Sequence, residues 1–497
     1  MAELTAGPTA LSRPARDGPG RRLMETGLLL ALDLGAMLAA AAAAYGVRVG
    51  LLTHYTHLFA PALPSEMSSH AWWVAGTLLI VFARLGLYVR RQSYWREFET
   101  IVTGLTVAFL VVFAVVSLGQ LVNEVSRTFL TLTWLFLVVT VPFFRWAAKR
   151  RLARAGLWRR SVLVVGGGST GRLVATAIAH DAFLGYHVVG FLGDGSAERN
   201  GSLPGGPAGE ARWLGPLAAA EKVMASTGAR TVVVASPHTP GPELVRLVNR
   251  LHRSADAVLI VPDLPGIPVL GVETEHFFDH QLLLLRVKNN LSSPTNRVLK
   301  RLFDFAGGLV LLLLASPVFL LAALAIKVDS PGPVFFGHER VGRGSRLFRC
   351  RKFRTMVADA QGGLAGLLEK DPELRRQWAQ DFKLRNDPRV TRVGKLLRRT
   401  SLDELPQLIN VLAGQMSLVG PRPIVREEME RFGDSLATYL GVRPGVTGLW
   451  QVSGRTETDY QRRVDLEAWY VRNWTLWLDI TLLLQTVGAV LRRRGAY

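Results

Sequence analysis

The sequence predicts a membrane protein in three parts: a four-helix transmembrane bundle, a Rossmann-like α/β middle domain, and a mixed α/β C-terminal domain carrying a re-entrant membrane helix hairpin. Three observations predict it. The 497-residue chain is 49% hydrophobic with mean hydropathy +0.22 yet carries a net charge of +20, so apolar and charged residues must be segregated along it. Four apolar runs of membrane length crowd the first third. After Ser161 the pattern changes to short apolar strands alternating with amphipathic helices. A chain this apolar is not disordered. A single cysteine, Cys350, excludes an intramolecular disulfide framework and a zinc site built on several thiolates.

Residues 1–22 are polar and rich in Gly, Pro and Arg, and are expected to be a disordered cytoplasmic N-terminus. The bundle is placed at 23–150, on the runs Met24–Tyr45, Ala71–Val89, Ile101–Val122 and Phe129–Ala148. A cleaved signal peptide is the alternative for the first run, disfavoured by the membrane-length segments that follow it. The second is the weakest, because Arg84 interrupts it. Arg13, Arg16, Arg21 and Arg22 precede the first run, Arg90, Arg91 and Arg96 follow the second, and Lys149, Arg150, Arg151 and Arg154 follow the fourth. Only Arg48 and Arg127 lie in the other loops, so the positive-inside rule puts the N-terminus and everything after residue 148 in the cytoplasm. Asp33, inside the first helix near its cytoplasmic end, is expected to be paired or solvated.

The middle domain, 151–285, opens with strand Ser161–Val165, the turn Gly166-Gly167-Gly168-Ser169-Thr170-Gly171 and a helix over Arg172–His180. Further strands are expected at His187–Phe191, Thr231–Ala235 and Ala257–Val261, and helices at Leu217–Ser226 and Glu243–Ser254. Gly166, Gly168 and Gly171 match a dinucleotide fingerprint, and Asp194 lies where a ribose-binding acid is sought; a tight strand-to-helix turn without a ligand uses the same glycines. A membrane-anchored nucleotide-sugar dehydratase or epimerase would need a lysine four residues after a tyrosine, and none of the nine tyrosines has one; Tyr439 with Arg443 comes nearest.

The last domain, 286–497, begins with the run Phe305–Ile326. Arg297, Lys300 and Arg301 precede it, and Lys327, Arg340, Arg343 and Arg346 follow, so both flanks read as cytoplasmic. Ser316-Pro317 sits at its middle, where proline removes a backbone hydrogen bond. A re-entrant hairpin over 302–328 is the expectation, and an ordinary kinked span the alternative. Residues 340–400 hold 17 Lys+Arg against 6 Asp+Glu, placing +11 of the +20 in a stretch whose charges alternate with apolar residues. No nucleic-acid recognition motif accompanies them, which leaves membrane phosphates and phosphorylated substrates. In Arg398-Arg399-Thr400-Ser401-Leu402-Asp403-Glu404, Ser401 and Glu404 fit a helix capping box. The functional alternative is a pair of carboxylates at a helix N-terminus facing arginines, suited to holding a divalent metal and a phosphate together, with the helix dipole keeping Asp403 ionised. Gly420-Pro421-Arg422-Pro423, Arg443-Pro444-Gly445-Val446-Thr447-Gly448 and Ser453-Gly454-Arg455 are rigid arginine turns suited to bidentate phosphate contacts. The apolar run Trp474–Leu491 reads as an interfacial helix.

Lys352-Phe353-Arg354-Thr355-Met356, Ser401–Gln407, the Gly420 turn and the Arg443 segment, in this order and spacing, resemble the monotopic phosphoglycosyl transferases, specifically the large bacterial polyprenyl-phosphate hexose-1-phosphate transferases of capsule, O-antigen and exopolysaccharide synthesis. The resemblance implies transfer of a sugar-1-phosphate, galactose or glucose, from a UDP-sugar to undecaprenyl phosphate with release of UMP. It implies Asp403 as nucleophile and metal ligand, Glu404 as acid/base partner, Mg²⁺ as cofactor, and Lys352, Arg354, Arg398, Arg422, Arg443 and Arg455 as substrate-binding cations. It also implies the re-entrant break at Ser316-Pro317 and a location in the bacterial inner membrane with the catalytic domain cytoplasmic. Membrane lipids are expected partners, nucleic acid is not, and a homodimer stays open. A cationic membrane scaffold without catalysis is the non-enzymatic alternative.

Overall fold

The computed structural model describes residues 19–55, 62–65, 67–181, 183–193, 212–236, 239–262, 272–277, 282–287, 289–357, 387–453 and 459–491. The chain divides into two compact units, Met1–Leu264 and Pro265–Tyr497. Asp194, Arg455 and most of the N-terminal tail lie outside the described residues.

In the first unit α1 (Pro19–Tyr45), α2 (Met67–Arg84), α3 (Tyr94–Leu118) and α4 (Arg127–Arg154) form the bundle, with α1 along α4 and α3 between α2 and α4. Ala36, Ala40, Ala108 and Gly104 are buried where helices meet, as small residues that let backbones approach. Among the described residues four helices are long and apolar enough to cross a membrane, Leu23–Tyr55, α3 and α4 in this unit and Pro294–Asp329 in the other; α2, the run that Arg84 interrupts, falls short.

Asp33 is fully buried and paired. Arg145 Nε and Nη2 donate to its two oxygens at 2.8 and 2.6 Å, and Tyr88 Oη donates at 2.8 Å. Arg145 Nη1 donates to Glu97 Oε1 at 2.8 Å and to the Leu87 carbonyl at 3.2 Å, while Lys149 donates to the other Glu97 oxygen. A second set joins the bundle to the sheet below it: Glu25 accepts from Arg91 at 3.0 Å and from Arg160 at 2.6 Å, and Arg91 also donates to the Gly185 carbonyl at 3.0 Å.

The α/β part is a five-stranded parallel sheet in the order β3-β2-β1-β4-β5, from β1 (Arg160–Val165), β2 (Tyr186–Leu192), β3 (Arg212–Gly215), β4 (Thr231–Val234) and β5 (Ala257–Ile260). Helices α5 (Ser169–His180), α6 (Ala220–Thr227) and α7 (Gly241–Leu251) cross over between strands. Strand β3 is the one in this sheet that sequence reading missed: its residues, Arg212-Trp213-Leu214-Gly215, lack the continuous apolar run that marks β4 and β5. Gly166 has φ +96°, and a Cβ on Gly171 would stand 1.9 Å from the Gly166 carbonyl oxygen. The packing of the β1–α5 turn therefore accounts for both without a ligand.

The second unit contains hairpin β6–β7 (Glu273–Phe277, Leu282–Arg286) and the long helix α8 (Pro294–Asp329), followed by hairpin β8–β9 (Phe335–Val341, Leu347–Phe353). Short helices α9 (Arg392–Thr400) and α10 (Gln407–Leu412), the parallel pair β10–β11 (Ser417–Val419, Gly445–Thr447), α11 (Leu436–Leu440), α12 (Leu449–Val452), α13 (Tyr460–Arg472) and α14 (Leu476–Leu491) complete it. The hairpin expected at Ser316-Pro317 is a single continuous helix of 36 residues. Pro317 cannot donate to the Leu313 carbonyl, and the Ser316 hydroxyl donates to that same oxygen at 2.7 Å, so the helix continues with its acceptor satisfied.

One stripe of α8 faces the domain along its whole length: Lys300, Asp304, Gly308, Ala322 and Ile326 are buried, while Leu313, Leu314, Leu320, Leu321 and Leu324 are exposed. At one end Asp304 accepts from Ser417 Oγ at 2.9 Å and the Leu418 amide at 3.0 Å. At the other, Ala322 and Ile326 pack with Phe353 and Leu397. Trp474 and Asp479, expected at a membrane interface, lie in the core instead. Asp479 accepts from Lys300 at 2.7 Å, Tyr470 at 2.7 Å and Trp474 at 3.1 Å, three donors that make burial of the carboxylate affordable.

Candidate active site

Alternation along β9 builds the site. Phe348 and Cys350 turn into the core, and Lys352, next on the same face, reaches the chain that follows α9. Strand β9 is held against α10 by one side chain: Asn410, 1% exposed, donates from Nδ2 to the Arg349 carbonyl at 2.8 Å and accepts the Arg351 amide at Oδ1 at 3.0 Å. Asn410 thus does for this edge what a neighbouring strand would do, and it fixes Lys352 relative to what precedes α10. Sequence reading passed over it, since an asparagine in an apolar helix announces a partner without saying which.

Helix α9 ends at Ser401, whose φ of +55° turns the chain sharply into a 3₁₀ turn, Leu402–Glu404, ahead of α10. Ser401 makes no side-chain cap hydrogen bond, so the capping-box alternative is not formed. The turn presents both carboxylates to one cation: Lys352 Nζ donates to Glu404 Oε1 at 2.7 Å and stands 3.8 Å from Asp403 Oδ2. Arg398, in the last turn of α9, is oriented by Thr355, to whose Oγ1 its Nε donates at 2.9 Å. Its charge also acts on Asp403.

Burial raises the Asp403 carboxyl above its ordinary value; Lys352 and Arg398 pull it back, and the like charge of Glu404 pushes it further up. The helix-dipole contribution expected to keep Asp403 ionised is thus opposed by desolvation, in a turn of three residues where the dipole is short. If Asp403 reacts as a carboxylate, the rate falls as pH drops through this raised pKa. Removing a neighbouring cation by Arg398→Gln raises the pKa again and shifts the acid limb of the kcat/KM profile to higher pH. A limb unmoved in that variant would show that another group controls it.

The other expected cations divide. Arg422 lies in the turn after β10 with its guanidinium 5.6 Å from the Trp450 ring, and its charge, with those of Lys352, Glu404 and Arg340, reaches Cys350. Arg354 departs from expectation. It is buried, and its Nη atoms donate to the Ser330 carbonyl at 2.7 Å, Ser330 Oγ at 2.8 Å and the Pro331 carbonyl at 2.9 Å, tying down the end of α8. The strand stops at Phe353, so the alternation that aims Lys352 does not extend to Arg354. Arg443 donates from Nε to the Gly414 carbonyl at 2.8 Å, and the charges acting on it are those of Arg301, Arg343 and Asp304 rather than of the dyad.

The donor set bears on metal binding as well. Among the described residues no three His, Cys, Asp or Glu side chains gather as a metal cage. Asp403, with its nearest cation at 3.8 Å, fits the mode in which one carboxylate and substrate phosphates together hold Mg²⁺.

Comparison with known proteins places this geometry. The profile described as bacterial sugar transferase matches residues 295–493, and one described as a CoA-binding domain matches 85–262. The undecaprenyl-phosphate galactose phosphotransferase of Salmonella typhimurium is 39% identical over 418 residues, covering 83% of this chain and 85% of that protein. The UDP-glucose:undecaprenyl-phosphate glucose-1-phosphate transferase of Escherichia coli is 32% identical, covering 85% and 89%. The exopolysaccharide production protein ExoY of Rhizobium meliloti is 45% identical over 204 residues, covering 41% of this chain and 90% of its own length.

Proposed function

The chain belongs to the bacterial sugar transferase family, as a polyprenyl-phosphate hexose-1-phosphate transferase of the membrane, and from that premise we propose that it moves galactose- or glucose-1-phosphate from a UDP-sugar onto undecaprenyl phosphate, releasing UMP, in polysaccharide synthesis. The observation that carries the reading is the adjacent pair Asp403 and Glu404, facing Lys352 with Arg398 behind. An Asp403 carboxylate oxygen attacks the β-phosphorus of the donor; the bond from that phosphorus to the bridging oxygen breaks, and UMP leaves with the electron pair. Attack of the lipid phosphate on the resulting aspartyl phosphosugar then regenerates Asp403 and forms the lipid diphosphosugar. Glu404, held by Lys352 at 2.7 Å, accepts the proton of a singly protonated lipid phosphate. Asp403 would hold Mg²⁺ together with the donor phosphates, and the ion would supply charge neutralisation for the leaving group. The purified protein releases UMP only with UDP-hexose, and multiple turnover requires undecaprenyl phosphate. Absence of lipid-dependent UMP release would leave the scaffold alternative standing.

The same proposal includes a re-entrant α8. What supports it is that buried residues from both halves of the helix, Asp304 on Ser417 and Leu418 and Ala322 with Ile326 on Phe353 and Leu397, pack on one compact unit, and that the charges flanking it read as cytoplasmic on both sides. Cys350 is too buried to report sidedness, so a new cysteine is needed. Glu430→Cys in a Cys350→Ala background, at an exposed position, is labelled by an impermeant thiol reagent only after the cytoplasmic membrane is opened. Labelling in intact cells would make α8 a span.

A further inference from the structure

Arg340 was no part of the expected site, yet the fold sets it there. It lies on β8 opposite Phe348, on the face of the hairpin that also carries Cys350 and Lys352. The next residue, Val341, donates its amide to the Ile424 carbonyl at 2.9 Å and bolts the end of β8 to the turn that carries Arg422. The buried Tyr439 hydroxyl reinforces this clamp, standing 3.4 Å from the Val341 carbonyl and 3.2 Å from that of Arg422 while accepting the Ile424 amide at 3.2 Å. Two arginines are thereby tied to one clamp, close enough for the charge of Arg422 to act on Arg340.

Their counter-charges are already shared. Glu428 stands 3.8 Å from Arg340 Nη1, but its Oε2 accepts from Arg463 at 3.1 Å and from Tyr460 at 3.2 Å. Glu467 accepts from Arg463 Nε at 3.2 Å and from the backbone amide of Arg422 at 3.3 Å, not from its guanidinium. Three arginines, 340, 422 and 463, thus face two carboxylates, and among the described residues no carboxylate lies within 4 Å of the Arg422 guanidinium. Burial and the charge of Arg422 both weaken the hold of Arg340 on its proton, as crowded cations require. The Cys350 thiol lies within electrostatic reach of Arg340 and Arg422 as well as of Lys352 and Glu404, so this pair borders the catalytic cluster.

We propose that Arg340 and Arg422 form a second anion subsite, bordering the Lys352–Asp403–Glu404 cluster, that takes a phosphate group of one of the two substrates. The inference rests on the transfer reading and refines it. An in-line exchange between two phosphate-bearing molecules needs more positive charge than Lys352 and Arg398 supply. A planar guanidinium pair held by backbone clamps grips phosphate oxygens with little reorganisation. The nucleotide-side phosphate of the donor and the phosphate of the lipid share this chemistry.

The test uses the full-length protein in detergent, comparing wild type, Arg340→Gln and Arg340→Lys. Loss of a charge-assisted contact weakens binding about 10- to 100-fold. Arg340→Gln is expected to raise the KM of one substrate about tenfold more than it lowers kcat, with Arg340→Lys in between; a shift for UDP-hexose assigns the subsite to the donor, and a shift for undecaprenyl phosphate to the lipid. Inorganic pyrophosphate affinity, read by calorimetry, falls in step and needs no turnover, so it tests the subsite even if wild type transfers no sugar. Unchanged KM values with wild-type pyrophosphate affinity would overturn the proposal. So would a loss of melting temperature that accounts for the whole effect and that Arg340→Lys shares.

Discussion

Replacing Asp403 by Asn lowers kcat by about 10⁴-fold or more, the loss seen when a covalent nucleophile is removed and only binding and electrostatics remain. The amide is nearly isosteric, so Lys352, Arg398 and the turn from Ser401 keep their places and the effect reads chemistry alone. The sharpest measurement is UMP release without acceptor lipid. Wild type gives one burst of UMP, stoichiometric with enzyme, and Asp403→Asn gives none. Glu404→Gln keeps the burst but slows turnover severely, since the donor half-reaction needs Asp403 and the lipid half-reaction needs the partner base. Its amide also leaves Lys352 with a weaker acceptor in place of the 2.7 Å ion pair, which slows the step further. Wild-type turnover by the Asp403 variant would remove the covalent mechanism, and an intact burst without Asp403 would place the nucleophile elsewhere.

Arg145→Met destabilises the bundle by about 3–5 kcal/mol, because it leaves buried Asp33 with only the Tyr88 hydroxyl as donor and takes one of the two cations from Glu97, which keeps Lys149. Asp33→Asn alone costs less, since Arg145 keeps Glu97 and the Leu87 carbonyl as acceptors. The double variant Asp33→Asn/Arg145→Met costs less than the two single effects added, the signature of a pair whose members are expensive only when separated. Thermal unfolding in detergent, followed with a bundle-specific probe, measures all three. Strict additivity would show that the buried pair carries no coupling and that Arg145 acts through packing alone. The contacts of Arg91 and Arg160 with Glu25 predict that the α/β part loses stability in the same variants, since both networks join one unit.

Much of this was legible along the chain. The apolar runs, the arginines flanking them and the alternation after Ser161 each read directly, since they depend on local period and composition. Asp33 read as paired or solvated, and it is paired; its partner, Arg145, lies 112 residues away, a distance over which a sequence offers no geometry. Asp403, Glu404 and Lys352 read as a site through their motifs, and the fold brings them together. The arginines read poorly. Arg354 and Arg443 sit in motifs as suggestive as that of Arg422, yet backbone carbonyls brought up by packing claim both, while Arg340, in no motif singled out, is clamped beside Arg422.

The sequence by itself determined where the chain is apolar, where it is cationic and which carboxylates stand ready, because these are properties of residues and their near neighbours. Only the tertiary structure decided which cations remain available to a phosphate, that burial raises the Asp403 carboxyl, and that helical structure runs through Pro317 with both halves of α8 packed on one domain. Each of those outcomes is a competition among partners distant in sequence. Charge and hydrogen bonding act through space over a few ångströms, and only the folded chain sets those distances.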